Sequence, residues 1–140
     1  MSIPTMRKSC EHRLSQYLQS RTPPVHFSFD NTKANKPAGK PYVEMTIIEG
    51  KSRRANLGGK RTVRHVGVLQ IDVLYPKDTG MGSVEELATA CSKLFDEWST
   101  ILDDNARLNF KTPVLKDLGS KYEFVRIAVS IPYWRDENSE

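Results

Sequence analysis

Six cations crowd the segment from residue 51 to residue 64: Lys51, Arg53, Arg54, Lys60, Arg61 and Arg64. Glu49 is the carboxylate close to them in sequence. Charges of one sign at this density make a positive field suited to an acidic partner. That partner could be a neighbouring subunit, another protein or the phosphates of DNA. No aromatic side chain interleaves the charges, so a platform for stacking single-stranded bases is not indicated. Leu57 is apolar at the tip of this charged stretch and is better placed against a neighbouring subunit than in water. A solvated hairpin would account for the same cations without any partner.

Groups able to carry catalysis are scattered. His65 falls in the core-facing register of a strand beside Gly67, where a packed, hydrogen-bonded histidine or an interface residue is expected. His12 and His26 have no neighbour in sequence that marks them out. Glu85-Glu86 opens a helix and Asp103-Asp104 sits in a polar link, and neither pair needs an acid–base role. Ser83 has no nucleophile-elbow pattern around it. Leu57-Gly58-Gly59-Lys60-Arg61-Thr62 has the glycines and lysine of a phosphate loop at the wrong spacing, and a strand follows it. Cys10 and Cys91 both occupy apolar helical positions and read as buried free thiols. With no close pair of cysteines or histidines at ligand spacing, neither a zinc site nor another cofactor is expected.

The elements that must position the basic segment centre on residues 61 to 98. Val63, His65, Gly67, Leu69, Ile71, Val73 and Tyr75 alternate with Arg64, Val66, Val68, Gln70, Asp72 and Leu74. That alternation is a strand with one core-facing side. Pro76 ends it, and residues 77 to 82 are a turn cluster. Ser83 with Glu86 reads as a capping box. Val84, Leu87, Ala88, Cys91, Leu94, Phe95 and Trp98 then follow at helical spacing.

Earlier in the chain, a helix capped by Thr5 is expected to run to Ser20 and to stop at Thr22-Pro23-Pro24. Val25-His26-Phe27 reads as a short strand, Asp30 to Pro41 as a loop, and Tyr42 to Ile48 as a strand. The stretch from about 49 to 62 reads as an extended basic hairpin loop. After the second helix, Ser99 to Asn105 is expected to be a polar link and Ala106 to Lys111 a strand. Pro113 to Ser120 reads as a connection turning at Gly119. Lys121 to Trp134 is the last strand, with Pro132 pointing to an edge or a strand end. Arg135 to Glu140 reads as a frayed tail.

The 140 residues suit one domain, 1–140. A formal charge of +4 and a pI near 9.1 make the chain basic, though less so than one built mainly to bind nucleic acid. No apolar run reaches the length of a membrane span, and the first eight residues lack the apolar core of a signal peptide. Synthesis in a cytoplasm and no membrane partner are therefore expected. The order of helix, strands, helix, strands gives an α+β domain. A mostly antiparallel sheet would carry two α-helices packed on one face.

Several stretches together resemble the tail-terminator-like proteins of phages and prophages. They are Pro41-Tyr42-Val43, Asn56-Leu57-Gly58-Gly59, the run from Arg64 to Val73, and Pro76 with Thr79-Gly80-Met81-Gly82. Leu87-Ala88 to Leu94-Phe95 and Val129-Ser130-Ile131-Pro132-Tyr133 complete the set. The resemblance implies an α+β fold and assembly as a ring, typically a homo-hexamer. It implies a structural part of the virion, in the tail or neck, with no catalytic residues and no cofactor. Its partners would be copies of itself, the tail tube protein and the head–tail connector. Such a ring ends the tube, stops its polymerisation and offers a surface for head joining. The family assigns no residue-level role to the basic hairpin, which could equally face DNA crossing the channel. Two alternatives stand beside this reading: a small basic nucleic-acid-binding module and another phage neck or connector protein. The hairpin around Arg53 to Arg61 is expected to be poorly ordered in a free monomer and ordered in the ring.

Overall fold

Three long strands lie side by side and set the frame. In the computed structural model, residues 3–21, 25–28, 41–57, 60–76, 81–102, 106–121 and 124–139 are described. The elements are α1 (Ile3–Ser20), β1 (His26–Ser28), β2 (Tyr42–Leu57), β3 (Lys60–Pro76) and α2 (Met81–Phe95), then β4 (Ser99–Ile101), β5 (Arg107–Phe110), β6 (Val114–Lys121) and β7 (Phe124–Ser139). The sheet runs β1-β2-β3-β7-β5-β4, and β6 also pairs with β7. Every pairing is antiparallel except that of β1 with β2.

Alternation decides which face is buried. Register sets Met45, Ile71 and Val129 in one row, and Val43, Val73 and Ile127 in the next. All six are essentially out of water. α1 lays Met6, Cys10, Leu14 and Leu18 over this face, and α2 adds Val84, Leu87, Ala88, Cys91 and Phe95. Each fully buried large side chain contributes on the order of 1.5–3 kcal/mol. The expected α+β architecture, with both helices on one face of a mostly antiparallel sheet, is the one observed. An aromatic cluster closes one end of the core. Phe95 lies 5.3 Å from Phe110 and 5.8 Å from Trp98, and Phe110 lies 6.2 Å from Tyr133.

Several boundaries differ from the sequence reading. The stretch 49 to 62 is not an extended loop. β2 continues to Leu57 and β3 begins at Lys60, and the two strands stay paired as far as Leu57 and Lys60 in one long arm. Its charged side chains suggested a loop, but ladder hydrogen bonds need only the backbone. A bulge marks where the arm leaves the core. Glu49 pairs with Gly67 and Ser52 with His65, so Gly50 and Lys51 together oppose Val66. A Cβ on Gly50 would stand 2.9 Å from the Val66 carbonyl oxygen, which is why glycine suits the position.

Arg135 to Ser139 is not a frayed tail either, because β7 continues to Ser139 alongside the arm, with Arg61 opposite Ser139 and His65 opposite Arg135. Pro132 is neither at an edge nor at a strand end. On one side it faces Val68 of β3. On the other it falls between β5, which ends at Phe110 opposite Tyr133, and β6, which starts at Val114 opposite Ser130. There its carbonyl accepts a 2.9 Å hydrogen bond from the Lys111 N–H, and its missing N–H meets the break between two strands.

α2 starts at Met81, so Ser83 lies inside its first turn and the expected capping box does not form. Thr5 is likewise inside α1. The supposed polar link holds the short strand β4, and the supposed connection at 113 to 120 is β6, with Gly119 at φ 74°. The loop expected from Asp30 lies outside the described residues as far as residue 40.

Candidate functional site

The arm carries all seven residues singled out for partner contact. Lys51, Arg53, Arg54 and Leu57 fall on β2, and Lys60, Arg61 and Arg64 on β3. The ladder sets Arg53 opposite Arg64, Arg54 opposite Val63, Asn56 opposite Arg61 and Leu57 opposite Lys60. Arg64 is the member whose side chain is described; the side chains of the other six lie outside the described residues.

Arg64 is held at the base of the arm. Its Nε and Nη2 donate to the two Asp136 carboxylate oxygens at 2.8 and 2.9 Å. This paired geometry is among the stronger ion-pair arrangements. The hydrogen bond to Asp136 raises the Arg64 pKa above its ordinary range, so the guanidinium stays charged. Asp136 also faces Arg107 on β5. The row Arg53, Arg64, Asp136, Arg107 thus sets three cations and one carboxylate side by side across four strands. The Arg64 guanidinium carbon also lies 5.7 Å from the Trp134 ring centre, and the Lys111 Nζ lies 5.6 Å from the same ring.

The neighbouring row faces the helices. Arg135 is buried, with 3% of its surface exposed, and its Nε lies 3.5 Å from a Glu137 oxygen. The other Glu137 oxygen lies 3.4 Å from the His65 Nε2. His65 is therefore a packed residue on a carboxylate, in the core-facing register expected of it. Sequence reading missed Asp136, Glu137 and Trp134. Pairing across more than 70 residues brings these acids to the arm, and no local pattern in the chain encodes that distance.

The far edge of the sheet holds an open cleft of about 460 Å³. Glu97, Trp98, Asn109, Phe110, Lys111 and Trp134 are among its lining residues. Glu97 takes a left-handed backbone conformation, φ 53°, which turns the chain from α2 into β4. Nearby apolar side chains are open to water: Ile101 is 64% exposed, Val114 61% and Leu115 41%.

Cys10 and Cys91 are free and buried, and burial pushes both thiols up to about 12. Among the described residues, no group of three or more His, Cys, Asp or Glu could hold a metal ion. No helix among them is long and apolar enough to cross a membrane.

The sheet, its two helices and the strand-built arm define an α+β domain. The family model described as phage tail terminator protein matches residues 5–133, and the chain belongs to that family. Two solved structures share the fold. One, which carries no functional name, is 23% identical with a TM-score of 0.71, covering 100% of this chain and 99% of its own. The other is a chain in the virion of a native gene transfer agent particle. It is 17% identical with a TM-score of 0.56, covering 89% of this chain and 94% of its own. No curated protein matches the chain in sequence.

Proposed function

We propose that this chain ends the phage tail. Copies of it form a ring on the finished tail tube, stop further addition of tube protein and present the surface to which the head connector binds. The work is done by contact surfaces, with no chemical step and no cofactor. Membership of the tail terminator family over residues 5–133 is the observation that carries this reading. The fold shared with a chain of a gene transfer agent virion supports a place in the particle.

The arm supports a protein partner over DNA as the main contact. Asp136 and Glu137 sit at its base and offset part of its positive field. A nucleic-acid-binding module would show affinity for DNA that falls steeply with salt. The proposed role is tested by deleting the chain from its phage. Tails of abnormal length without attached heads are expected; headed tails of normal length would contradict it.

A further inference from the structure

The exposed large apolar residues of the described chain stand at the two opposite edges of the sheet. Ile48 on β2 is 48% exposed. Ile101 on β4 and Val114 and Leu115 on β6 are exposed at the other side of the sheet order. Among the described residues, the strand edges there are open as well. β1 covers β2 at Tyr42 to Glu44, and from Met45 onward β2 has β3 as its single partner among the described residues. β6 pairs with β7 alone among them. Long open edges with apolar side chains are templates for adding a strand from another chain.

Charge differs in sign between the two edges. The β2 side carries the basic arm, with six cations against Glu49 between residues 49 and 64. The sequence around β4 and β5, from Asp96 to Thr112, is the acidic part of the other edge, with Asp96, Glu97, Asp103 and Asp104 against Arg107 and Lys111, whereas β6 holds Lys116 and Lys121 against Asp117.

From this placement we infer that the sheet continues from one copy to the next. The β2 edge of one subunit meets the edge that β4 and β6 form on its neighbour, with Ile48 set against Val114 and Leu115 of β6 and the basic arm alongside β4, since Arg53 lies in the same row as Arg107 and Ile101. This deepens the ring reading and rests on it. Two different patches on opposite sides of one subunit make a head-to-tail contact, and such contacts build rings when the rotation closes. A self-paired β6 edge would stop at a dimer.

Paired cysteines test the contact. Ile48→Cys and Leu115→Cys are exposed substitutions, and the native Cys10 and Cys91 are buried, so a short bis-maleimide reacts first at the new thiols. The full chain is treated both free and in purified tails. The double variant should give a ladder of linked dimers, trimers and larger species, and each single variant should stay unlinked. Dimers from Leu115→Cys alone would overturn the inference in favour of a symmetric contact. Tails that end normally and yield no ladder would overturn the edge contact and leave the terminator role standing. Tails that end normally without the chain would overturn that role itself.

Discussion

The Tyr133 side chain lies across Gly67 on the neighbouring strand. A Cβ on Gly67 would stand 2.7 Å from the Tyr133 hydroxyl oxygen and would meet the Ile48 carbonyl oxygen closer still. Gly67 is therefore a packing glycine, at a point next to the bulge where β2 and β7 leave no room for a side chain on β3. Gly67→Ala should destabilise the fold by about 1–3 kcal/mol, because backbone has to move and a side-chain rotation alone cannot relieve the clash. Urea unfolding of the variant measures this. Tyr133→Leu in the same chain should recover only part of the loss, since the Ile48 carbonyl stays in place.

The Tyr133 hydroxyl itself has no hydrogen-bond partner among the described residues, and burial raises its pKa. A buried hydroxyl without a partner opposes folding. Tyr133→Phe should therefore be neutral, or stabilise by up to about 1 kcal/mol. A lower urea midpoint for this variant would show that the hydroxyl is bonded in the folded state.

The Arg64–Asp136 pair ties the basic arm to the end of β7. Arg64 is 42% exposed and Asp136 18%, so water screens part of the attraction. A double-mutant cycle with Arg64→Ala and Asp136→Ala should give a coupling of about 0.5–1.5 kcal/mol, reduced in high salt. Asp136→Ala should also speed hydrogen exchange in β3 near residues 61 to 65. A coupling of zero would mean that backbone pairing alone docks the two strands.

Asp72 sits on the sheet face away from the helices, with Glu44 opposite it in register. Burial raises its pKa, and the Gln70 amide and Arg126 act in the other direction without cancelling the shift. A carboxyl raised in the fold binds its proton more tightly there than in the unfolded chain. Its contribution to stability therefore falls as pH rises from the unfolded value through the folded one, and the deficit persists at neutral pH. Asp72→Asn, which keeps an acceptor for Gln70, should raise Tm at pH 7 and leave it little changed at pH 3. Equal shifts at both pH values would rule out titration of Asp72 as the cause.

The two thiols make a probe of global unfolding. Cys10 and Cys91 are fully buried, with values of about 12, so neither forms thiolate near neutral pH while the chain is folded. Labelling by a disulfide reagent at pH 8 should follow the unfolding rate and accelerate with urea. Above pH 9 the unfolded chain loses these protons first, so stability should fall as pH rises toward 12. Rapid labelling in native buffer would contradict the burial of α1 and α2 against the sheet.

The core was legible because its signals are periodic. The stripe from Val84 to Phe95 and the alternation from Leu69 to Val73 both mark residues that are buried. What escaped was built from charged residues. Lys51 to Arg54 extend β2, and Arg135 to Ser139 extend β7, yet neither segment has the apolar alternation that marks a half-buried strand. Their strand state comes from pairing with each other through β3, a non-local cause. The basic half of the arm was plain in the sequence, whereas Asp136 and Glu137 joined it only through the fold. Met81 opens α2 two residues before the serine that looked like its cap.

The terminator role is tested by the length of tails made without this chain, measured by electron microscopy of particles from a deletion strain. If this chain ends the tail, tubes made without it run past their normal length and carry no heads. A population of normal-length tails joined to heads would contradict it.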